Sequence, residues 1–434
     1  MLTWLLSSWY TPSAAPPASA SEAILADTLD HPILDRLRDL VKCGGGEWPP
    51  RASYRDTWPA ALHPYDTVLR TMEPLFPVRE SSTVDAHNRV LIDAFRSRMR
   101  AELDEHVNLR DVQSALDRAE KSDPASCSQA AWLGIWLCIS MLRHSYRWGV
   151  TPIVSEAQSE ETLDFPEQLD LIWTYLQRHF GTTSPGGCMS SLMYTNLRAD
   201  DRLEYSVNVG MPETHRQTEY WNTKLICSME ERTIPMYHLF ARAITLLDAS
   251  DLPGALAALK SANDVLKSAL KHFFATLVDA NLAQDVWLAY VQGYQGWTLG
   301  GIDGISGGQS LLFRTLDAFL GIRPFPTPEK EALHLMTQQR AWLEFMREYD
   351  IRARVKTFEH TPEAEEITAE LDALVKQLRL WRMGHMRRMI PYESARRPER
   401  KTMTAGISVV DASSEDLMIQ HLKKELGRRL AETV

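Results

Sequence analysis

The spacing of apolar residues constrains this chain most: it repeats with the period of a helix from Asp85 onward, and the period-2 alternation of a half-buried strand is almost absent. Val90, Leu91, Ile92, Phe95, Met99 and Leu103 show the pattern. The expected fold class is therefore all-α, with helices over 85–107, 109–121, 128–147, 166–180, 216–247, 253–280, 282–295, 309–320, 330–348, 362–390 and 414–431. No repeat at solenoid periods appears, which disfavours a stacked helical scaffold. With 434 residues, 44% of them hydrophobic, and thirteen tryptophans, such helices can bury a large core.

Several classes of function are disfavoured. A formal net charge of -10 opposes an electrostatically driven nucleic-acid binder. Arg396, Arg397, Arg400 and Lys401 read as a solvated loop or a local basic patch. Cys43, Cys127, Cys138, Cys188 and Cys227 are scattered, odd in number and contain no CxxC pair, which fits a reducing compartment. The opening MLTWLLSSWY lacks a basic flank and runs into a Pro/Ala/Ser tract, so no secretory signal is expected. No segment has the apolar length of a membrane span. A cytoplasmic protein is the expectation, with residues 1–22 a disordered segment.

Motifs for common chemistries are missing too. There is no HExxH, no GxSxG elbow, no Walker loop and no GxGxxG following a strand. The search turns to a cofactor needing one strong protein ligand, and haem is such a group. In Leu378-Arg-Leu-Trp-Arg-Met-Gly-His385-Met-Arg-Arg-Met-Ile-Pro-Tyr392 a histidine sits within a long helical pattern. A lone helical histidine is more often structural than a ligand, so its neighbours carry the weight. The run Gly300-Gly-Ile-Asp-Gly-Ile-Ser-Gly-Gly places five glycines in nine residues. It is either a plain connector or a backbone that approaches a flat ligand closely.

At these segments the chain resembles the indoleamine 2,3-dioxygenase family. Trp381-Arg382-x-x-His385 is similar to the WRxxH and LRxxH segments that carry the proximal histidine in tryptophan and indoleamine dioxygenases, and Tyr392 matches as well. A rival register puts Arg382 at the ligand position, but arginine cannot deprotonate to bind iron. Gly304-Ile-Ser306-Gly-Gly-Gln309-Ser310 looks like the family's GGSAGQS loop, and Leu316-Asp317-Ala-Phe-Leu-Gly321-Ile322 like the FDVLLGI that follows. Phe345-Met346-Arg347-Glu-Tyr349 resembles an MRxYMP segment, and Ser145-Tyr146-Arg-Trp148 a GYVW motif. Trp221 through Glu230, Arg232 and Pro235 resembles a WFxLxSxxIExRxxP helix. These matches keep their order over roughly residues 130–430.

The resemblance implies haem b held by His385, with Ser306 and Gly307 beside the cofactor. It implies a small helical domain over 23–165 and a larger haem-binding domain over 166–434, the latter with a mobile loop at 393–413. Thr404 and Gly406 match a GTGG motif that closes over substrate, whereas Ala405 and Ile407 depart from it. Tyr146 either packs against a flat substrate or is a core tyrosine. The expected pocket is altered: Val291 or, one residue shifted, Gln292 stands where the family has an arginine for the substrate carboxylate. Asn222 replaces an aromatic and Ile226 a distal serine. The expected activity is oxidation by O2 of an indole or related small aromatic substrate other than free tryptophan, by a monomer. A haem-binding sensor or scaffold without catalysis is the alternative, and a haem-free interaction protein follows if His385 is no ligand.

Overall fold

A computed structural model describes residues 19–76, 84–121, 127–149, 160–297, 299–302, 304–325, 327–394, 403–404, 407–408, 423–424 and 426–433. Of the described residues 74% are helical, and the only named strands among them are β1 (Met403–Thr404) and β2 (Ile407–Ser408), paired antiparallel. The all-α expectation holds. Gly406, the 396–401 cations and most of 393–413 lie outside the described residues. No helix among the described residues is long and apolar enough to cross a membrane.

Most of the helices expected after Asp85 are present, and of the one expected over 414–431 only 423–424 and 426–431 lie within the described residues. They include α4 (Asp85–His106), α5 (Leu109–Glu120), α6 (Gln129–Trp148) and α7 (Glu167–Phe180). Three earlier ones precede them: α1 (Ala20–Ala26), α2 (Pro32–Cys43) and α3 (His63–Met72). Their signals are in their caps. Ser19 and Glu22 form a reciprocal capping box on α1, inside the stretch expected to be disordered. The Nδ1 of His31 accepts the amide of Ile33 at 3.2 Å, with Pro32 at the first helical position. On α4 the buried stripe is Ile92, Phe95, Met99 and Leu103, whereas Val90 is exposed. On α6 every residue from Ala131 to Trp148 is buried, the apolar first half together with Arg143, His144 and Arg147 in the last turns.

The frame of the C-terminal two-thirds is a hairpin of two long helices. Helix α8 (Glu213–Asp248) has 36 residues, about 54 Å at 1.5 Å per residue. A turn with Ser250 at φ 60° leads to α9 (Leu252–Thr276), capped by Asp251, whose carboxylate accepts the amide of Gly254 at 3.0 Å. Then come α10 (Leu311–Leu320), α11 (Pro328–His334), α12 (Thr337–Glu348), α13 (Ile351–Lys356) and α14 (Pro362–Ser394). The expected 330–348 helix is thus split at Leu335–Met336. Helix α14 packs along α9, and α2 packs on both α8 and α12. The ring of Phe240 on α8 stacks on Phe319 of α10 at 3.8 Å. One cluster of buried apolar side chains runs from Ile24 to Tyr392, and its members lie on both sides of residue 165.

Candidate functional site

Between α9 and α10 the expected 282–295 helix changes character. After a turn at Gln284–Val286, residues Trp287–Gln292 form a π-helix, followed by a turn at Gly293–Gln295. Such bulges are rare and recur at functional positions. This segment touches α8, α14 and β1. It thereby gathers the elements that carry Asn222 and Ile226, Val291 and Gln292, His385, and Thr404.

On α14, Trp381 and His385 are four residues apart and share a face. Their rings stack at 4.7 Å and 18°. Phe313 of α10 stacks on Trp381 at 4.0 Å, and Phe273 of α9 lies edge-on to Trp381 at 5.2 Å and 5.8 Å from His385. Gly384 permits this approach, because a Cβ there would lie 2.7 Å from Cζ of Phe274. Burial, and secondarily the Arg382 cation, pull the His385 imidazole down to about 4, so it is neutral at pH 7. The residue as a whole is half-buried. Neither of its nitrogens has a hydrogen-bond partner among the described residues.

Arg382 is engaged elsewhere. Its guanidinium donates to Asp317 at 2.6 Å and to the hydroxyl of Thr433, and Arg429 reaches the other Asp317 oxygen. Two segments that carried the family resemblance, 65 residues apart, meet in this ion pair. An arginine held this way is not available to a cofactor.

The glycine run divides into two parts. At Gly304 the run is packed on protein, whereas Gly300 at its start is exposed: a Cβ on Gly304 would lie 2.3 Å from the Gln295 carbonyl oxygen, and one on Gly300 would meet nothing. The Ile305 amide donates to that same oxygen at 3.0 Å. Gln292 donates its side-chain amide to the Ile305 carbonyl at 3.0 Å, and Gln309 to the Gly304 carbonyl at 2.8 Å. Gln292 therefore holds the loop, a role its sequence position did not reveal. Ser306 and Gly307 are different. The Ser306 side chain is half-buried, caps no helix, and has no partner among the described residues. Gly307 is exposed, with open space where a Cβ would stand. This corner precedes Phe313 by one to two turns.

Asn222 is buried, and its Oδ1 accepts Nε1–H of Trp287 at 2.9 Å, while its Nδ2 has no partner. Trp287 stands edge-on to Tyr392 at 5.8 Å, and Tyr392 donates its hydroxyl proton to the Leu282 carbonyl at 3.0 Å. Ile226, one turn along α8 from Asn222, is half-buried. Val291 is buried and lines a cavity of about 30 Å³ with Met141, Met193, Glu219, Thr223, Gln295 and others. That is room for about one water, and His385 is not in its wall. Glu219 accepts from Ser206 Oγ, the amides of Val207 and Asn208, and Asn208 Nδ2. Burial pushes its carboxyl up against these bonds.

Tyr146 is not brought to this group. Its hydroxyl accepts from Arg100 at 2.7 Å, its ring lies 5.4 Å from Phe165, and the cations of Arg96 and Arg100 sit over it. The core reading of this tyrosine describes what it touches. Phe273, Phe313 and Gln309 were not singled out for these roles, since helical spacing alone marks an aromatic only as core. No known family model matches the chain, and no curated protein matches it.

Proposed function

We propose that this protein is a haem-dependent oxygenase resembling the indoleamine 2,3-dioxygenases, with His385 as the iron ligand and a small aromatic substrate other than free tryptophan. The observation that carries the reading is His385 itself: a neutral imidazole without a hydrogen-bond partner among the described residues, set against Trp381 and Phe273 in a half-buried residue. A histidine that holds a metal must be neutral, and one with no structural bond to make is free for that role. Among the described residues no group of three or more His, Cys, Asp or Glu has metal-holding geometry, whereas haem asks the protein for a single ligand.

The residues fit the group. Phe273, Phe313 and Trp381 supply aromatic walls, and the open Ser306–Gly307 corner leaves backbone and hydroxyl donors for a propionate. When bound, haem supplies the redox chemistry by which O2 oxidises an electron-rich ring. The chain supplies the rest. His385 orients the cofactor, and the aromatic walls exclude water. Val291 and Ile226 present an apolar surface, and β1 covers the π-helical segment. The finer arrangement belongs to the same proposal: a small helical domain over 23–165, a haem-binding domain over 166–434, and a monomer acting in the cytoplasm.

A non-catalytic haem sensor or scaffold is favoured by one observation, the cavity beside Val291 that is too small for an indole. Turnover of an indole under reducing conditions excludes that alternative. The test of the main reading is the absorption spectrum of haem-reconstituted protein beside His385→Ala, in ferric, ferrous and CO-bound forms. A histidine-ligated Soret band lost or shifted in the variant is expected. An identical spectrum in the variant, or no haem uptake by the wild type, overturns it.

A further inference from the structure

We infer that Arg314 is a positioning residue for the cofactor: acting through Gly308, it shapes the Ser306–Gly307 corner so that no backbone oxygen opposes a carboxylate there; this rests on the haem reading of the site. Arg314 follows Phe313 on α10, between the two segments from Gly304 to Ser310 and from Leu316 to Ile322 that carried the family resemblance. Its side chain is 4% exposed and holds two groups. Nε donates to the Gly308 carbonyl at 2.8 Å, and Nη1 donates to Glu331 of α11 at 2.9 Å.

Ion pairing does not account for this arginine. Glu331 is buried and already holds Arg347 of α12 on both oxygens, at 2.9 and 3.0 Å. Asp317, the other carboxylate acting on Arg314, is bound by Arg382 and Arg429. Burial draws the Arg314 guanidinium down to about 10, so it remains charged at neutral pH. Its Nη2 has no partner. A second buried cation on a satisfied carboxylate, with a donor left over, is costly. What the chain gains from it is the bond to Gly308 and a positive charge behind the corner.

The backbone shows what that bond does. Every carbonyl from Gly304 to Gly308 is turned onto a protein donor. Gly304 accepts from Gln309 Nε2 at 2.8 Å and Ile305 from Gln292 Nε2 at 3.0 Å. Ser306 accepts from the Gln309 amide at 3.0 Å and Gly307 from the Ser310 amide at 3.1 Å. Gly308 completes the series, and it alone is held by a charged side chain. Without Arg314 its oxygen is free to turn outward beside Ser306, where its partial negative charge would oppose a carboxylate.

The experiment titrates the purified full-length apo-protein with two probes, haem b and its dimethyl ester, each followed at the Soret band. The ester keeps the macrocycle and the iron and lacks the carboxylates. Arg314→Met is expected to weaken haem b about tenfold and to leave the ester within about twofold, a loss confined to the carboxylate contact. Arg314→Lys keeps the charge but lacks the fork that spans Gly308 and Glu331, so its haem b loss should be smaller, about threefold, with the ester again unchanged. If Arg314→Met does not fold, Arg314→Lys is read against the same two probes. A general packing defect weakens both probes alike; that result, or unchanged haem b affinity in a folded variant, overturns the inference. Uptake of neither probe by the wild type overturns the haem reading and this inference with it, whereas wild-type uptake followed by equal losses overturns this inference alone.

Discussion

Replacing His144 with glutamine should change how stability depends on pH, because the imidazole is held in one protonation state. His144 is fully buried on α6, within the core beside the end of the π-helical segment. The Gly187 amide donates to Nε2 at 3.0 Å, so Nε2 carries a lone pair, and Nδ1–H donates to the Tyr294 carbonyl at 2.9 Å. A second proton would cost the Gly187 bond and place a charge in the core. Burial is the main cause that draws this histidine from 6.5 to about 4, with the Arg143 and Arg147 cations adding to it. The unfolded chain takes up the proton below pH 6.5, while the folded chain resists until about 4. The stability contribution is therefore present above 6.5 and is lost as pH falls toward 4. Between pH 7 and 4.5 this amounts to about 2 kcal/mol, at 1.36 kcal/mol per pH unit. Urea unfolding followed by tryptophan fluorescence measures it. His144→Gln should be about 1–3 kcal/mol less stable than wild type at pH 7, and the gap should shrink by about 2 kcal/mol at pH 4.5. His179 and His334 are also drawn to about 4 by burial, so only the difference between proteins isolates His144. A gap that does not vary with pH refutes the reasoning.

Two further outcomes follow from the packing. Glu230 accepts from Trp48 Nε1, Tyr194, Tyr237 and the Leu312 amide with no cation nearby. Glu230→Gln would turn a donor toward these donors and should cost about 3 kcal/mol in thermal or urea unfolding; a neutral substitution would contradict the hub. Gly304→Ala should destabilise by about 2–4 kcal/mol, since its Cβ would enter the Gln295 carbonyl, while Gly307→Ala should stay within about 0.5 kcal/mol. Equal melting temperatures for the two variants would show that the loop is not divided as described.

Several features were legible along the chain. The helices α4 to α9 follow from apolar spacing and from caps such as Asn108 and Asp251, which act within one turn. The earlier α1 to α3 were missed because the helical period was followed only from Asp85; Pro32 and Pro64 stand in the first turns of α2 and α3, where proline is favoured. Helix α13 was missed because six residues are too few to show a period. Val90 was counted in the buried stripe since spacing alone does not choose which of three adjacent apolar residues faces in.

What the sequence determined by itself is therefore the helical class and the order of most helices, because each rests on contacts three or four residues apart. It also singled out His385, and the resemblance at Asp317 marked the segment that meets its helix. Only the tertiary structure decided what the site residues touch. Arg382 is tied to Asp317 and Asp317 to Arg429 across 65 and 112 residues. Gln292 holds the glycine loop, Tyr146 is taken up by Arg100, and Asn222 keeps an unpaired donor because Trp287 claims its oxygen. The physical reason is that a polar group's role depends on the partner it meets on burial, and that partner comes from a distant part of the chain.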